Sequence, residues 1–570
     1  MIPGASLDTL AFLPRPRRVR AAGGTCTGKK LDTRVVPGSC PVQGYRISIR
    51  PSGIELTGAD APGLAYGLAT LNQAKRECGR AIPCGDIEDW PDFPVRGVML
   101  DVSRDKVPSM GTLLSLIEML AGLKYNHLQL YMEHTFAYSR HKEVWAHASL
   151  LTGREIRRLD AFCRARHIEL VPNQNSFGHL HRWLSLPRYR GLAECPEGFT
   201  FPWGQRSEEP FSLAPTDGAS LDFLDGLYSE LLPCFSSGLF NVGLDETYDL
   251  GQGRSREECD RRGKGAVYLD FLKRVHGLVA RHGRKMLYWG DIITQHPQLI
   301  RELPRDAIAL EWGYEADHPF ERDAEMFQAS GVPWWVCPGT SSWNSFAGRT
   351  DNCLGNLRAA AYAGLAHGAS GFLVTDWGDN GHMQALPVSF LGLAAGAASA
   401  WCGETSAGTD LARALDIHVF RDRAGRMGAL ARDAGNAYRL AGDGMGNASP
   451  LFHFICPLGG AALPASVTVA RLSETRRQVQ DMAGAIDASR MDRPDARLIK
   501  DEYRLTLGML AHGCDRGAAI VNGWLDDPST TARLREDMAA LIREYRRVWN
   551  ARNRPGGFAE SVEKLERLYR

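Results

Sequence analysis

The hydrophobic pattern of this 570-residue chain changes character twice. Near the N-terminus Tyr45-Arg46-Ile47-Ser48-Ile49-Arg50 alternates apolar and polar positions, Pro51-Ser52-Gly53 interrupts it, and Ile54-Glu55-Leu56 resumes it. A period of two on either side of a turn predicts a hairpin. Ala61 to Gln73 then carries Leu64, Leu68 and Leu71 at helical spacing, so residues 1–90 are expected to hold a small α+β domain. Residues 1 to about 40, rich in Pro, Gly and Arg, show no period and receive no assignment.

After the proline-punctuated stretch Ile87 to Pro94, short apolar runs alternate with amphipathic segments. The runs predict strands at Gly97–Asp101, His127–Tyr131, Glu169–Pro172, Leu239–Gly243, Lys285–Trp289, Ala307–Trp312, Pro333–Val336 and Gly371–Thr375. Helices are expected between them, as at Met110–Leu123, Gly153–His167, Ala266–His282 and Asn356–His367. The fold class expected for residues 91–402 is therefore α/β, a (β/α)8 TIM barrel. An open doubly wound sheet fits less well, because no glycine-rich phosphate fingerprint follows the first strand. Residues 403–570 lose the strand signal and read as a helical C-terminal domain, with stretches at Asp410–Leu440, Ala465–Asp487, Arg493–Asn522 and Pro528–Asn550. Its charged faces suit solvated surface or a contact in a homodimer.

Composition narrows the partners. With 67 Lys+Arg against 66 Asp+Glu, nothing draws the chain to nucleic acid or to an anionic membrane at long range. The longest uncharged stretch, Ala385–Cys402, contains Pro387 and several glycines and reads as a buried barrel helix rather than a membrane span. Met1 to Arg20 lacks the apolar core of a secretion signal, and the thirteen scattered cysteines show neither a CxxC pair nor metal-ligand spacing, so a cytoplasmic protein with reduced thiols is expected.

In a barrel of this kind the C-terminal strand ends carry the chemistry. The fourth run ends in Asp245-Glu246, an adjacent carboxylate pair that can serve one pocket only where the strand is already turning into its loop. Alone, such a pair also reads as a polar strand end capping the next helix. The other ends contribute Asp101, Glu133-His134, Asn173 to His179, Trp289-Gly290-Asp291, Glu311-Trp312, Trp343-Asn344 and Asp376-Trp377-Gly378-Asp379, with Arg96 preceding the first strand. Indoles pack on the apolar faces of a pyranose and charged or amide groups fix its hydroxyls, so the collection suits a sugar pocket. Each tryptophan singly reads as core or rim, but four at consecutive strand ends read as a pocket lining. His179 is either a structural histidine or a site residue, and as a metal ligand with His181 it lacks a third partner.

The chain resembles the β-N-acetylhexosaminidases of glycoside hydrolase family 20. The resemblance rests on Tyr45 to Ile49, on Ala65-Tyr66-Gly67-Leu68-Ala69-Thr70-Leu71, most specifically on Asp89 to Arg104, and on Gly243-Leu244-Asp245-Glu246. It implies retaining, substrate-assisted catalysis with no metal or organic cofactor. Glu246 would be the general acid and then base, and Asp245 would hold the N–H of the substrate's 2-acetamido group. Arg96 would bind ring hydroxyls, His179 would stand near the acid, and Trp289 and Trp312 would line the pocket. Glu133, Trp343, Trp377 and Asp379 complete the expected substrate contacts.

Four departures stand out against the family pattern. Asn241 replaces a histidine, Leu244 a second glycine, and Met132-Glu133-His134 an Asp-Asp pair. Trp334-Trp335-Val336-Cys337-Pro338 lacks the tyrosine that would bond the acetamide oxygen; Trp343, Asn344 and Tyr314 are candidates to replace it. Three readings follow: an exo-acting β-N-acetylhexosaminidase cleaving small oligosaccharides or glycosides, a barrel glycosidase of the same descent acting on a non-acetamido β-glycoside, and a non-catalytic sugar-binding relative.

Overall fold

The computed structural model describes residues 6–28, 30–459 and 461–569; Met1 to Ala5 of the Met1–Arg20 stretch lie outside them. The N-terminal domain is a five-stranded sheet built from β1 (Arg18–Cys26), β2 (Leu31–Val35), β3 (Tyr45–Arg50), β4 (Gly53–Gly58) and β5 (Ile82–Asp89) in the order β1-β5-β3-β4-β2. The expected hairpin is β3–β4, whose Tyr45, Ile47, Ile49, Ile54 and Leu56 point to the core. Helix α1 (Ala61–Cys78) covers that face and starts where the Asp60 carboxylate accepts the Gly63 N–H at 2.7 Å. The sequence left β1, β2 and β5 unassigned, and of these β1 and β2 are the sheet's edges. The side chains of β1 and β2 are almost all exposed, so they carry no alternation to read.

The barrel strands are β6 (Val95–Asp101), β7 (His127–Met132), β8 (Glu169–Gln174), β11 (Leu239–Asn241), β12 (Lys285–Trp289), β13 (Ile308–Trp312), β14 (Trp334–Cys337) and β15 (Gly371–Asp376), with a two-stranded hairpin, β9 (Phe199–Thr200) and β10 (Arg206–Ser207), inserted after β8. They close in the order β11-β12-β13-β14-β15-β6-β7-β8, all eight expected strands appearing within two residues of their expected bounds. β7 and β15 are buried at every position, as parallel strands covered on both faces must be. The bore is filled by large side chains, among them Met99, Tyr131, Trp289, Trp335 and Leu373. A polar layer crosses it, in which the Gln129 carbonyl accepts the amides of Asn173 and Asn241, each at 2.9 Å. Asn241, where the family pattern has histidine, is thus part of the barrel packing. The apolar segment Leu386–Ser406 is long enough by length and composition to cross a membrane, and 83% of its window is buried, where it packs as the last barrel helix.

Arg96 requires a correction. It opens β6 at the end of the barrel opposite the catalytic loops and is 1% exposed. Its guanidinium donates to the carbonyls of Lys124 at 3.0 Å and Phe93 at 2.8 Å and lies 4.9 Å over Trp401 and 5.2 Å over Tyr66. Next to it the Lys124 ammonium pairs with Asp89 at 3.0 Å, both side chains fully buried, and the Trp401 indole donates to Asp89 at 2.9 Å. This cluster joins the small domain to the bottom of the barrel, and Arg96 cannot reach a substrate.

The helical domain is less continuous than its sequence suggests. Asp410–Leu440 breaks into Leu411–Ala414, a π-turn at Leu415–Phe420, Met427–Ala434 and the start of Ala437–Gly442, whereas Ala496–Val521 and Pro528–Arg552 run unbroken. Arg552 ties that last pair together through Glu502 at 2.8 Å, and both groups are nearly buried. The turn Asp443–Ala448 reaches the barrel, where the Asn447 carboxamide oxygen accepts the Trp343 indole N–H at 2.9 Å.

Arg96→Ala should lower folding stability by about 3 kcal/mol, because it leaves buried carbonyls without a donor and empties the space between two aromatic rings. The measurement is a urea midpoint at unchanged slope. A wild-type midpoint would show that Arg96 does not hold the domains together.

Candidate active site

The pocket is built where the strands end. Asp101, at the end of β6, accepts the backbone N–H groups of Ser103 at 2.8 Å and Arg104 at 3.1 Å, and its other oxygen takes the Gly378 N–H and the Arg104 guanidinium, each at 3.0 Å. One buried carboxylate thereby fixes the loop after the first barrel strand to the loop after the eighth. Arg104 is the arginine the pocket uses. It lies 4.8 Å over Tyr131 and 4.9 Å over Trp377, and it faces Glu133 at 3.4 Å and Asp379 at 4.0 Å. The sequence signal was present in Asp101-Val102-Ser103-Arg104, at the opposite end of the strand from Arg96.

The carboxylate pair follows β11 in irregular backbone. Gly243, Leu244 and Glu246 all have left-handed φ, at 72°, 73° and 51°. Gly243 also needs to be glycine for space, since a Cβ there would stand 2.4 Å from the Asn175 carboxamide oxygen. Leu244 holds its conformation without that freedom, at a cost of roughly 1–2 kcal/mol. Its fully buried side chain and the Tyr268 hydroxyl, which donates to the Leu244 carbonyl at 3.0 Å, hold it there.

Asn175 donates to Asp245 at 3.1 Å and to the Tyr131 hydroxyl at 3.2 Å, so it orients the Asp245 carboxylate. The His179 Nε2 stands 3.3 Å from an oxygen of Asp245 and 3.3 Å from one of Glu246. Burial works against a charged imidazole, but the two carboxylates outweigh it and hold the His179 pKa up to about 10. Burial likewise opposes ionisation of Asp245, yet the imidazolium keeps its pKa below the usual carboxylate range. Asp291, after β12, accepts the Glu246 backbone N–H at 3.1 Å; its burial, followed by the charge of Asp245, pushes its carboxyl up to about 8. Asp379 is pushed up to about 6 by burial, against the pull of Arg104.

The four tryptophans named from the sequence come together above the bore. Trp289 and Trp377 are 5.8 Å apart, and Trp377 meets Tyr131 edge-on at 4.8 Å. Trp312 stacks on Tyr314 at 5.1 Å, and Tyr314 meets Trp343 at 87°. Trp289 and Trp343 are 1% exposed, Trp377 6%, and Trp312 only partly buried. Glu133 accepts the Tyr131 hydroxyl at 2.9 Å and faces Arg104, and no contact joins it to His179. The Nδ1 of His179 instead stands 3.5 Å from Arg104. Arg104, Asn175 and Asp291 are thus pocket residues to which the sequence assigned no role, and Tyr314, one of three candidates for the missing tyrosine, is the one that meets Trp377.

Ligand atoms of His179, Asp245 and Glu246 lie within 4.8 Å of one another, as do those of Glu311, His318 and Asp323, of which the two carboxylates are buried and His318 partly so. A cation in the first trio would have to displace the proton of a strongly basic imidazole. That proton already supplies the counter-charge.

A closed parallel barrel with a carboxylate pair beyond its fourth strand and aromatic rings over the later ends defines a (β/α)8 protein whose loops carry its chemistry. Sequence models of glycosyl hydrolase family 20 match the chain at residues 93–343 (catalytic domain) and at residues 15–90 (domain 2). The chain belongs to that family. It is 26% identical over 339 residues to a β-hexosaminidase of Akkermansia muciniphila, covering 52% of this chain and 65% of that protein. A β-hexosaminidase of Porphyromonas gingivalis is 25% identical over 285 residues, covering 44% of this chain and 36% of its own length. The fold is similar to that of the Streptomyces plicatus N-acetyl-β-hexosaminidase complexed with Thio-NAglucal, with a TM-score of 0.58 and 19% identity over 73% of this chain and 96% of the other. A Vibrio harveyi exo-β-N-acetylglucosaminidase in complex with N-acetylglucosamine gives 0.60 at 16% identity, over 76% and 79%.

Raised to about 10 from an ordinary 6.5, His179 contributes stability that is complete below pH 6.5 and is lost as pH rises to about 10. Asp291, raised from 3.8 to about 8, acts in the same direction, contributing most below pH 3.8 and losing that contribution by pH 8. In Asp245→Asn the His179 pKa should fall from about 10 towards 6.5, read by NMR of labelled imidazole. An unmoved titration would show that Asp245 does not hold the charge.

Proposed function

We propose that the chain is an exo-acting β-N-acetylhexosaminidase that removes terminal N-acetylglucosamine or N-acetylgalactosamine by retaining, substrate-assisted catalysis. The observation that carries this reading is Asp245, buried, ionised and aimed by Asn175, beside an adjacent carboxylate that is partly open to solvent. A buried anion with one oxygen committed to Asn175 suits an N–H donor such as an acetamide. Held that way, the substrate's own acetamide oxygen attacks the anomeric carbon, and orientation replaces a protein nucleophile. Glu246 gives its proton to the departing oxygen and the oxazolinium intermediate forms. Glu246 then takes a proton from the water that opens that ring. The His179 imidazolium, touching both carboxylates, stabilises the charge Glu246 acquires on giving up its proton.

Tyr314 supports the acetamido reading over the plain glycoside. Its hydroxyl accepts the Trp377 indole N–H at 2.7 Å and also meets the Thr375 side chain, and a phenol so placed is a group that can donate to a ligand oxygen. Burial keeps the phenol protonated well above the ordinary range, against the pull of its hydrogen bonds with Trp377 and Thr375. The phenol reaches the pocket from the loop after β13, one strand earlier than the family pattern places it. Arg104, Glu133 and Asp379 form the charged edge suited to ring hydroxyls. A cytoplasmic setting is supported by the thirteen cysteines, all unpaired and eleven of them buried.

Nitrophenyl glycosides with and without the 2-acetamido group test the reading: cleavage is expected only of the acetamido sugar, and cleavage of the plain glucoside alone would overturn it. Glu246→Gln should lower kcat by about 10²–10⁴. Tyr314→Phe should cost about 10² in kcat with the acetamido substrate, as loss of one donor to a developing oxygen charge does.

A further inference from the structure

Trp203 stands apart from the buried tryptophans of the pocket: 53% of it is exposed. It occupies the tip of the hairpin β9–β10 in the loop after the third barrel strand, and nothing in the mechanism above uses it. We propose that Trp203 is the platform for the sugar ring on the leaving-group side of the scissile bond, so that the preferred substrates are oligosaccharides rather than simple glycosides. This inference rests on the reading of the site as a hexosaminidase and deepens it.

The indole is held rigidly. Phe201 stacks on it at 4.5 Å and 14°, and its N–H donates to the Gln205 carboxamide at 3.3 Å. Pro202 and Trp203 are the central residues of a turn closed by the Gly204 N–H on the Phe201 carbonyl at 2.9 Å, with Gly204 at φ 88°. A large, flat, partly open ring that is already immobile loses little entropy when a pyranose face covers it.

It also connects to the reacting groups through one intervening ring, Tyr248, whose hydroxyl meets Glu246. Tyr248, two residues after Glu246, meets the Trp203 ring at 5.4 Å and 80°. Burial, followed by the charge of Glu246, pushes the Tyr248 phenol up. From Tyr248 the row of rings continues to Phe211 at 6.0 Å and from there to His179 at 4.9 Å, so the exposed indole is the outer end of an aromatic row that reaches the catalytic imidazole.

The hairpin is pinned to the catalytic loop itself. The Gln252 side-chain amide donates to the Thr200 carbonyl and to the Tyr248 carbonyl, each at 2.9 Å, and its oxygen accepts the Thr200 N–H at 3.0 Å. On its other side the tip meets the helical domain, where a Cβ at Gly459 would stand 2.8 Å from the Gln205 carboxamide oxygen.

The test compares kcat/KM for a β-linked disaccharide of 2-acetamido sugars with that for the methyl 2-acetamido β-glycoside, in wild type, Trp203→Ala and Trp203→Phe. The ratio of the two should fall at least tenfold in Trp203→Ala and be largely restored in Trp203→Phe. An unchanged ratio, whether both rates fall together or neither does, overturns the platform. Failure of the parent reading is seen separately, in a wild type that cleaves neither acetamido substrate, and it removes the platform with it.

Discussion

The site depends on one imidazolium held between two carboxylates. Asp245 and Glu246 are neighbours in sequence with Asp291 just behind them, and carboxyl groups so close in a buried pocket resist ionising together. The His179 ring, 3.3 Å from each of the pair, offsets that resistance and lets Asp245 stay ionised despite its burial. Asp291 takes the remaining strain by holding its proton up to about 8. Three titratable groups thus settle into different charge states because their distances to one another differ, which is the usual way a site divides acid from orienting base.

Holding that arrangement requires a backbone that regular structure cannot supply. On a strand, Asp245 and Glu246 would point to opposite faces. β11 stops at Asn241, and left-handed turns at Gly243, Leu244 and Glu246 bring both side chains to one ring. The conformation is held from outside: Asn175 fills the space under Gly243, Tyr268 bonds the Leu244 carbonyl, and Asp291 takes the Glu246 N–H. Where the family pattern has a second glycine, burial of the Leu244 side chain offsets the cost of its φ.

The departures from the family pattern share a physical logic. A pocket needs a functional group at a position in space, and neighbouring strand ends can supply it equally well. A phenol stands in the loop after β13, that of Tyr314, held by the indole of Trp377 across the barrel mouth. Asp101 ties the loop carrying Arg104 to the loop carrying Trp377, and Asn447 of the helical domain braces Trp343. The C-terminal domain therefore belongs to the architecture of the site, although its sequence shows only helices.

Local sequence determined the order of elements. Eight apolar runs, each too short for a helix and each followed by an amphipathic segment, gave the barrel because parallel strands buried on both faces read as continuous apolar runs. It also placed Asp245, Glu246, His179 and the tryptophans at strand ends. It did not show the edge strands β1 and β2, whose exposed side chains carry no period, nor the breaks within Asp410–Leu440. Arg96 shows the limit most clearly: whether an arginine beside a strand faces the pocket or a domain junction depends on which end of the barrel it lies at, and the length of one strand separates a buried structural guanidinium from Arg104 in the pocket. Only the tertiary structure decided which groups meet, that Asn175 bonds Asp245, that Tyr314 meets Trp377 and that burial beside Asp245 raises the Asp291 pKa. Those contacts join residues tens of positions apart, and their geometry is set by barrel closure rather than by any local pattern.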